Sequence, residues 1–167
     1  MTTPTPTKPN KFHFYFGKRT NAVILCSFFK GYRLYFWDTT KNTITKGQWL
    51  INGKISTTKC RVSEDCTYFE YKLNQHDDNR PLNYRVISIS PYFTAIWIDG
   101  LCSDMGPKRG KKPIVKCWTE MISADNATQT HGFQINKEHT ILTKNNVILL
   151  DVTGDTFHPI TPPYESV

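Results

Sequence analysis

Five cationic side chains, Lys108, Arg109, Lys111, Lys112 and Lys116, fall within nine positions that hold no acid. Ammonium and guanidinium groups at that density neutralise phosphates, and Gly106 and Gly110 let a backbone come close. These five are the candidate polyanion-binding residues, and nucleic acid is the partner they suit. A solvated loop that keeps the surface soluble is the competing explanation. The run does not follow the P-loop spacing, so no phosphate cradle is read into it. Arg33, Tyr35 and Tyr68 would add stacking surfaces for a single strand if they face outward.

Other reactive residue types are scattered. His13, His76, His131, His139 and His158 are spread along the chain, whereas a metal site needs several donors converging. His131 and His139 would approach across a hairpin, with Asp125 or Glu138 near, and His76-Asp77-Asp78 would offer oxygen donors, but surface residues explain both. A cysteine nucleophile needs a histidine base within hydrogen-bond reach. Cys26 lies in the most apolar run and reads as core, Cys60 and Cys66 flank a turn and would pair if oxidised, and Cys102 is the expected exposed thiol. Glu64-Asp65, Asp77-Asp78, Asp151 and Asp155 sit in turn-like stretches, where Asp serves the backbone. No catalytic residue, metal site or cofactor is assigned.

The chain has 167 residues and a net charge of +7, from 21 basic and 14 acidic side chains. That length fits one domain with its own core. Apolar content is 38%, with 13% aromatic residues supplying large buried areas. A second, looser basic group comprises Lys8, Lys11, Lys18 and Arg19. The five cysteines are odd in number and lack a C-x-x-C spacing, so free thiols in a reducing, intracellular compartment are expected. No apolar run approaches a membrane span, and residues 1–10 are polar, so neither a membrane partner nor a secretory signal is expected.

These side chains must be held by strands. Residues 32–73 organise the reading. Residues 32–37 are an aromatic-rich strand, and Asp38 to Asn42 is a turn. Residues 43–46 are a short return strand. Gly47 and Asn52-Gly53 mark further turns. Phe69, Tyr71 and Leu73 alternate with Tyr68, Glu70 and Lys72, the period of a strand with one buried face. Residues 22–29 are continuously apolar and read as a central strand. Residues 74–81 read as a surface loop, residues 84–90 and 93–98 as strands, and residues 99–113 as a long basic loop. Residues 114–122 alternate like a strand but fit a short helix too. Residues 123–132 read as polar loop. Short strands near residues 133–135 and 147–152 follow. About nine short strands predict an all-β, single-domain antiparallel sandwich or barrel over residues 12–158. A Pro/Thr-rich arm, residues 1–11, and a Pro-rich tail, residues 159–167, flank it.

Several local motifs recur in a fixed order: Trp37-Asp38, Gly47-Gln48-Trp49, Gly53-Lys54-Ile55, Lys59-Cys60, Val62 to Asp65, and Ile87 to Ala95. In that order, over residues 13–101, the chain resembles a family of small bacterial proteins without an established activity. The resemblance implies an all-β fold and carries no catalytic residue over. Trp37-Asp38, Trp97-Ile98-Asp99 and Leu149-Leu150-Asp151 also look like ends of WD-repeat blades. Their spacing of about 60 and about 53 departs from that repeat, so a small irregular propeller-like fold stands as the alternative. The function expected is a non-enzymatic interaction or structural module that binds protein partners in a larger assembly, of which a virion minor structural protein is one concrete form. Nucleic-acid binding through residues 108–116 is the alternative, and a hydrolase of unrecognised type a weaker one.

Overall fold

The computed structural model describes residues 10–18, 20–77, 80–100 and 109–167. Its strands in chain order are β1 (Lys11–Phe16), β2 (Asn21–Phe28), β3 (Gly31–Asp38), β4 (Thr43–Ile51), β5 (Lys54–Ile55), β6 (Arg61–Ser63) and β7 (Tyr68–Asp77). Then come β8 (Arg80–Ile89), β9 (Ala95–Gly100), β10 (Arg109–Gly110), β11 (Trp118–Glu120), β12 (Gln134–Ile135), β13 (Ile141–Lys144) and β14 (Val147–Asp151). Among the described residues one α-helix, α1 (Ala124–His131), interrupts them. The chain is all-β, and every strand pair is antiparallel.

The strands form three sheets, and none among the described residues closes into a barrel. The first is the meander β1-β2-β3-β4; the second runs β10-β9-β8-β7-β6-β11, with β5 also on β7; the third is β12-β13-β14. The first sheet is the central layer. Along β2, Val23 and Leu25 point into a core shared with Phe69, Tyr71 and Val86 of the second sheet. Ala22, Ile24 and Cys26 point the other way, into a core shared with Ala127, Phe133, Leu142 and Leu150. Burial on both faces is why this strand reads as an unbroken apolar run. On β1, Phe12, Phe14 and Phe16 face the C-terminal layer, where Phe14 and Phe16 pack within 5.1 and 6.3 Å of Phe133 between ring centroids.

Several expectations change. Fourteen strands are described where about nine were expected, because five of them span only two or three residues, too few to show a period. Residues 74–77 and 80–81 belong to the paired strands β7 and β8 rather than a loop. Polar side chains gave that stretch no apolar alternation. Residues 124–131 are helical. Ser123 Oγ accepts from the Asn126 N–H, and Gly132 closes the helix in the left-handed region at φ 66°. Only Ala127 of this helix is buried, so it carries no apolar stripe.

Gly47 does not turn the chain; it lies inside β4. A Cβ there would collide with the Pro91 carbonyl oxygen and lie 2.7 Å from that of Leu34. Glycine is needed for this close approach. Asn52, at φ 66°, does mark a turn, but it links β4 to a strand of another sheet, since β5 pairs with β7. The Asp38 turn is as expected: its carboxylate accepts from the Thr40 and Lys41 N–H groups. Asn145 and Asn146, at φ 52° and 62°, make the tight β13–β14 hairpin.

Candidate functional site: an aromatic groove and a cationic strap

A groove of about 610 Å³ opens where the end of the central sheet meets the C-terminal layer. Its aromatic wall is Phe28, Phe29, Trp49 and Phe157, with Asn10 and Glu138 at its sides. Phe28 and Trp49 pack at 4.8 Å between ring centroids, and Phe157 meets Trp49 edge-on at 6.4 Å. Phe29 and Phe157 are 63% and 56% exposed, so the two outer rings stand open to solvent. Trp49 Nε1 is buried without a hydrogen-bond partner among the described residues.

Asp155 lines the same groove and fixes its geometry. One carboxylate oxygen accepts from Arg33 Nη1 at 2.9 Å and from the Tyr35 hydroxyl at 2.7 Å; the other accepts from Lys46 Nζ at 2.8 Å. Arg33 Nε also donates to the Gly47 carbonyl at 3.0 Å, and its guanidinium lies 4.9 Å from the Trp49 ring centroid. Burial opposes the charge of Asp155, but hydrogen bonds from Lys46 and Tyr35 and the charges of Lys46 and Arg33 outweigh it and hold the carboxyl below its usual range. Arg33 and Tyr35 are thus buried structural groups. The expectation that they stack on a nucleic acid is overturned for both, because alternation along β3 puts them, with Trp37, on the buried face that meets Asp155.

The basic segment takes a different form from a free loop. Arg109 and Gly110 are strand β10, paired to Ile98 and Trp97 at one edge of the second sheet. Trp118 to Glu120 pair with β6 at the opposite edge. Five strand spacings separate those edges, about 24 Å. The eight steps from Gly110 to Trp118 reach at most about 29 Å. Residues 111–117 therefore form a strap that runs from one edge of the sheet to the other, with a bend at Lys116. Arg109, Lys111, Lys112 and Lys116 are all exposed on it, while Ile114, 96% exposed, stands among them. Lys112 Nζ sits 4.9 Å from the Trp97 ring centroid, and Arg61 lies 4.8 Å from that of Trp118 while pairing with Glu70 at 2.7 Å. Lys108 and Cys102 lie outside the described residues, as do residues 1–9 of the expected arm.

The C-terminal tail is extended, as expected, and is docked on its own body. Gln48 Nε2 donates to the Ile160 carbonyl, the Tyr164 hydroxyl donates to the Thr94 carbonyl at 2.6 Å, and the Val167 N–H donates to Ala95. Gln48 Oε1 meanwhile accepts from the Phe93 and Thr94 N–H groups at 2.7 and 3.0 Å. Gly47 and Gln48 thus clamp both the Pro91–Thr94 turn and the tail.

The remaining reactive residues serve the fold. Burial pushes the Cys60 and Cys66 thiols up to about 12, and Cys26 up as well. Cys60 donates to the Ser56 carbonyl and Cys66 to that of Asn21, in separate settings, and both are free thiols. His131 stacks flat on Phe16 at 3.6 Å, whereas His139 Nδ1 accepts the Phe12 N–H at 3.1 Å, so the two histidines serve different neighbours. Among the described residues no group of three His, Cys, Asp or Glu comes together to hold a metal, and no helix is long and apolar enough to cross a membrane. Sequence reading missed the groove, whose walls come from residues 10, 28–31, 49–51, 138–140 and 155–157. Only Trp49 beside Gly47 hinted at it. Compared with protein-family models, curated proteins and solved structures, the chain matches none.

Proposed function

We propose that the chain is a non-enzymatic interaction module, a contact component of a larger assembly of the kind a virion minor structural protein represents. The groove carries this reading. Two large aromatic rings stay open to solvent beside a wall locked by the buried Asp155 cluster, and rigid apolar surface of that kind marks contact sites. The buried thiols and the engaged histidines support a structural role for the groups that would otherwise do chemistry, and a reducing, intracellular setting fits free Cys26, Cys60 and Cys66. Sedimentation velocity of the full chain from about 1 to about 200 µM tests the reading, with association expected in the micromolar range. A strictly monomeric chain that also ignores oligonucleotides would sink it.

A second reading, nucleic-acid binding, rests on the strap, where four exposed cations follow one another over residues 109–116. Neutralising four phosphates predicts a log–log salt slope near −3.6 on duplex DNA, by about 0.9 per contact. Changing Arg109, Lys111, Lys112 and Lys116 to Ser removes that slope in a fluorescence-anisotropy titration. Absence of binding at low salt refutes the second reading alone.

A further inference from the structure

We infer that the seam between Gln48 and residues 89–95 is a recognition site for extended segments of the pattern apolar-x-Pro-x-Tyr, and that such a segment on a different protein takes the place of the chain's own residues 160–164. The seam is separate from the groove on which the interaction-module reading rests, and it gives that module a partner of stated chemistry.

The chain's own tail defines what the seam accepts. Ile160, Pro162 and Tyr164 are half-buried, whereas Thr161, Pro163 and Glu165 are exposed. Pro159, Pro162 and Pro163 have no N–H to donate, so this stretch cannot pair as a strand and is held through side chains and single carbonyls. Gln48 is preset for it. Its Oε1 accepts from the Phe93 and Thr94 N–H groups and its Nε2 donates to Thr94 Oγ1, which fixes the amide to the body. Nε2 also donates to the Ile160 carbonyl at 3.1 Å. The Tyr164 hydroxyl is bound in both of its roles. It donates to the Thr94 carbonyl at 2.6 Å and accepts from the Ile89 N–H at 3.3 Å, while its ring meets that of Tyr92 edge-on at 6.0 Å. Burial pushes the hydroxyl's pKa up to about 12, so it stays a donor at neutral pH. A phenylalanine in its place would leave both backbone groups without this partner, which is how a site built for a hydroxyl rejects a ring that lacks one.

The resident segment is exchangeable. No described residue after Val152 belongs to either hydrophobic core. A segment with so few buried apolar contacts opens locally while the body stays folded. The body's side of the seam does not depend on it, since the bonds that fix Gln48 run to residues 93 and 94. A second copy is a poor competitor. Its tail is already held in its own seam, where tethering gives an effective concentration of roughly millimolar, and exchanging tails creates no contact that either copy lacks. A protein without such a seam carries its segment free and gives up no contact to bind. The chain's own tail lowers the apparent affinity for that segment by the fraction of time the seam stands open.

A fluorescein-labelled peptide of residues 158–167, which leaves out Phe157 and with it the groove, tests this by anisotropy. It is titrated onto the full chain and onto full-length Tyr164→Ala, with full-length Tyr164→Phe, which keeps the ring, in parallel. Tyr164→Ala loosens the resident tail, so this chain is expected to bind the peptide at least about tenfold more tightly than the wild type. The same peptide carrying Tyr164→Phe is expected to bind about tenfold more weakly. Self-association in sedimentation velocity is expected to be equal for the wild type and Tyr164→Ala. Absence of binding to every chain at millimolar peptide, or equal binding of the two peptides, overturns the inference, because residues 160–164 are then an element of the fold and not a ligand. Self-association weakened at least about tenfold by Tyr164→Ala also overturns it, since the tails then pass between copies. None of these outcomes involves the groove, so the interaction-module reading is decided separately, by the association of the wild-type chain.

Discussion

Asp155→Ala removes the acceptor that joins the central sheet to the segment after β14. Three donors lose their partner. Arg33 is 4% exposed and cannot regain water; it keeps only the Gly47 carbonyl and its stack on Trp49. Breaking a buried pair by removing one member costs about 3–5 kcal/mol, because a charge is left uncompensated. Lys46 is 46% exposed and rehydrates, and Arg33 keeps one acceptor, so the lower end, about 3 kcal/mol, is expected. For a chain of this length that lowers Tm by roughly 6–12 °C. Urea unfolding should show a lower midpoint with an unchanged slope. The double variant Arg33→Met/Asp155→Leu should recover most of the loss, since apolar packing replaces the stranded charge. The pair's contribution also depends on pH with a fixed sign. The Asp155 carboxyl is held below its usual 3.8, so its stabilisation is complete above that value and lost as pH falls through the depressed one. A loss under about 1 kcal/mol for Asp155→Ala, or no recovery in the double variant, would refute the claim that this cluster frames the groove.

Two further outcomes are expected. Gly47→Ala places a methyl group against the Pro91 carbonyl and should cost about 2–3 kcal/mol while raising hydrogen exchange in residues 160–167, because the Gln48 clamp shifts with it; unchanged exchange there would show that the tail holds independently. His13 is depressed to about 4 by burial and by the charges of Lys11 and His139, so its contribution is full above 6.5 and is lost as pH falls from 6.5 toward 4. His13→Asn should flatten the acid limb of stability by at most roughly 1.4 kcal/mol per pH unit, with His139, lowered in the same direction, supplying what slope is left; equal limbs in both proteins would refute this.

The sequence-level reading succeeded where a side chain's surroundings are set locally. The alternation of Phe69, Tyr71 and Leu73 reports one buried face, and the unbroken run in β2 reports two. The Asp38 turn follows from groups within a few residues of one another. It failed where the cause is distant. Gly47 looks like a turn until Pro91, 44 positions later, is placed against it. Arg33 and Tyr35 look like stacking candidates until Asp155, 122 and 120 positions away, claims both. Glu70 sits on the face expected to be wet, yet it is buried against Arg61. The Trp37-Asp38, Trp97-Ile98-Asp99 and Leu149-Leu150-Asp151 pieces do share a structural position, at or near the end of a strand in each of the three sheets, although their spacing fits no regular repeat.

This layering places the groove and the cationic segment at the edges of the sheets. The central sheet is buried on both faces along β1 to β3, and it meets solvent at its strand ends and along the edge strand β4. The groove lies at one such end, where β1 starts, β2 and β4 stop, and the turn before β13 passes. On the second sheet, Ile87 and Trp97 are buried although neither packs into the core shared with the central layer, and the strap tied to both edges is the element that lies over Trp97. The two proposed readings use different features, the apolar groove for a protein partner and the cationic segment for an anionic one. Because they lie in different sheets, ring substitutions and charge substitutions should act independently, their effects adding on any assembly that uses both.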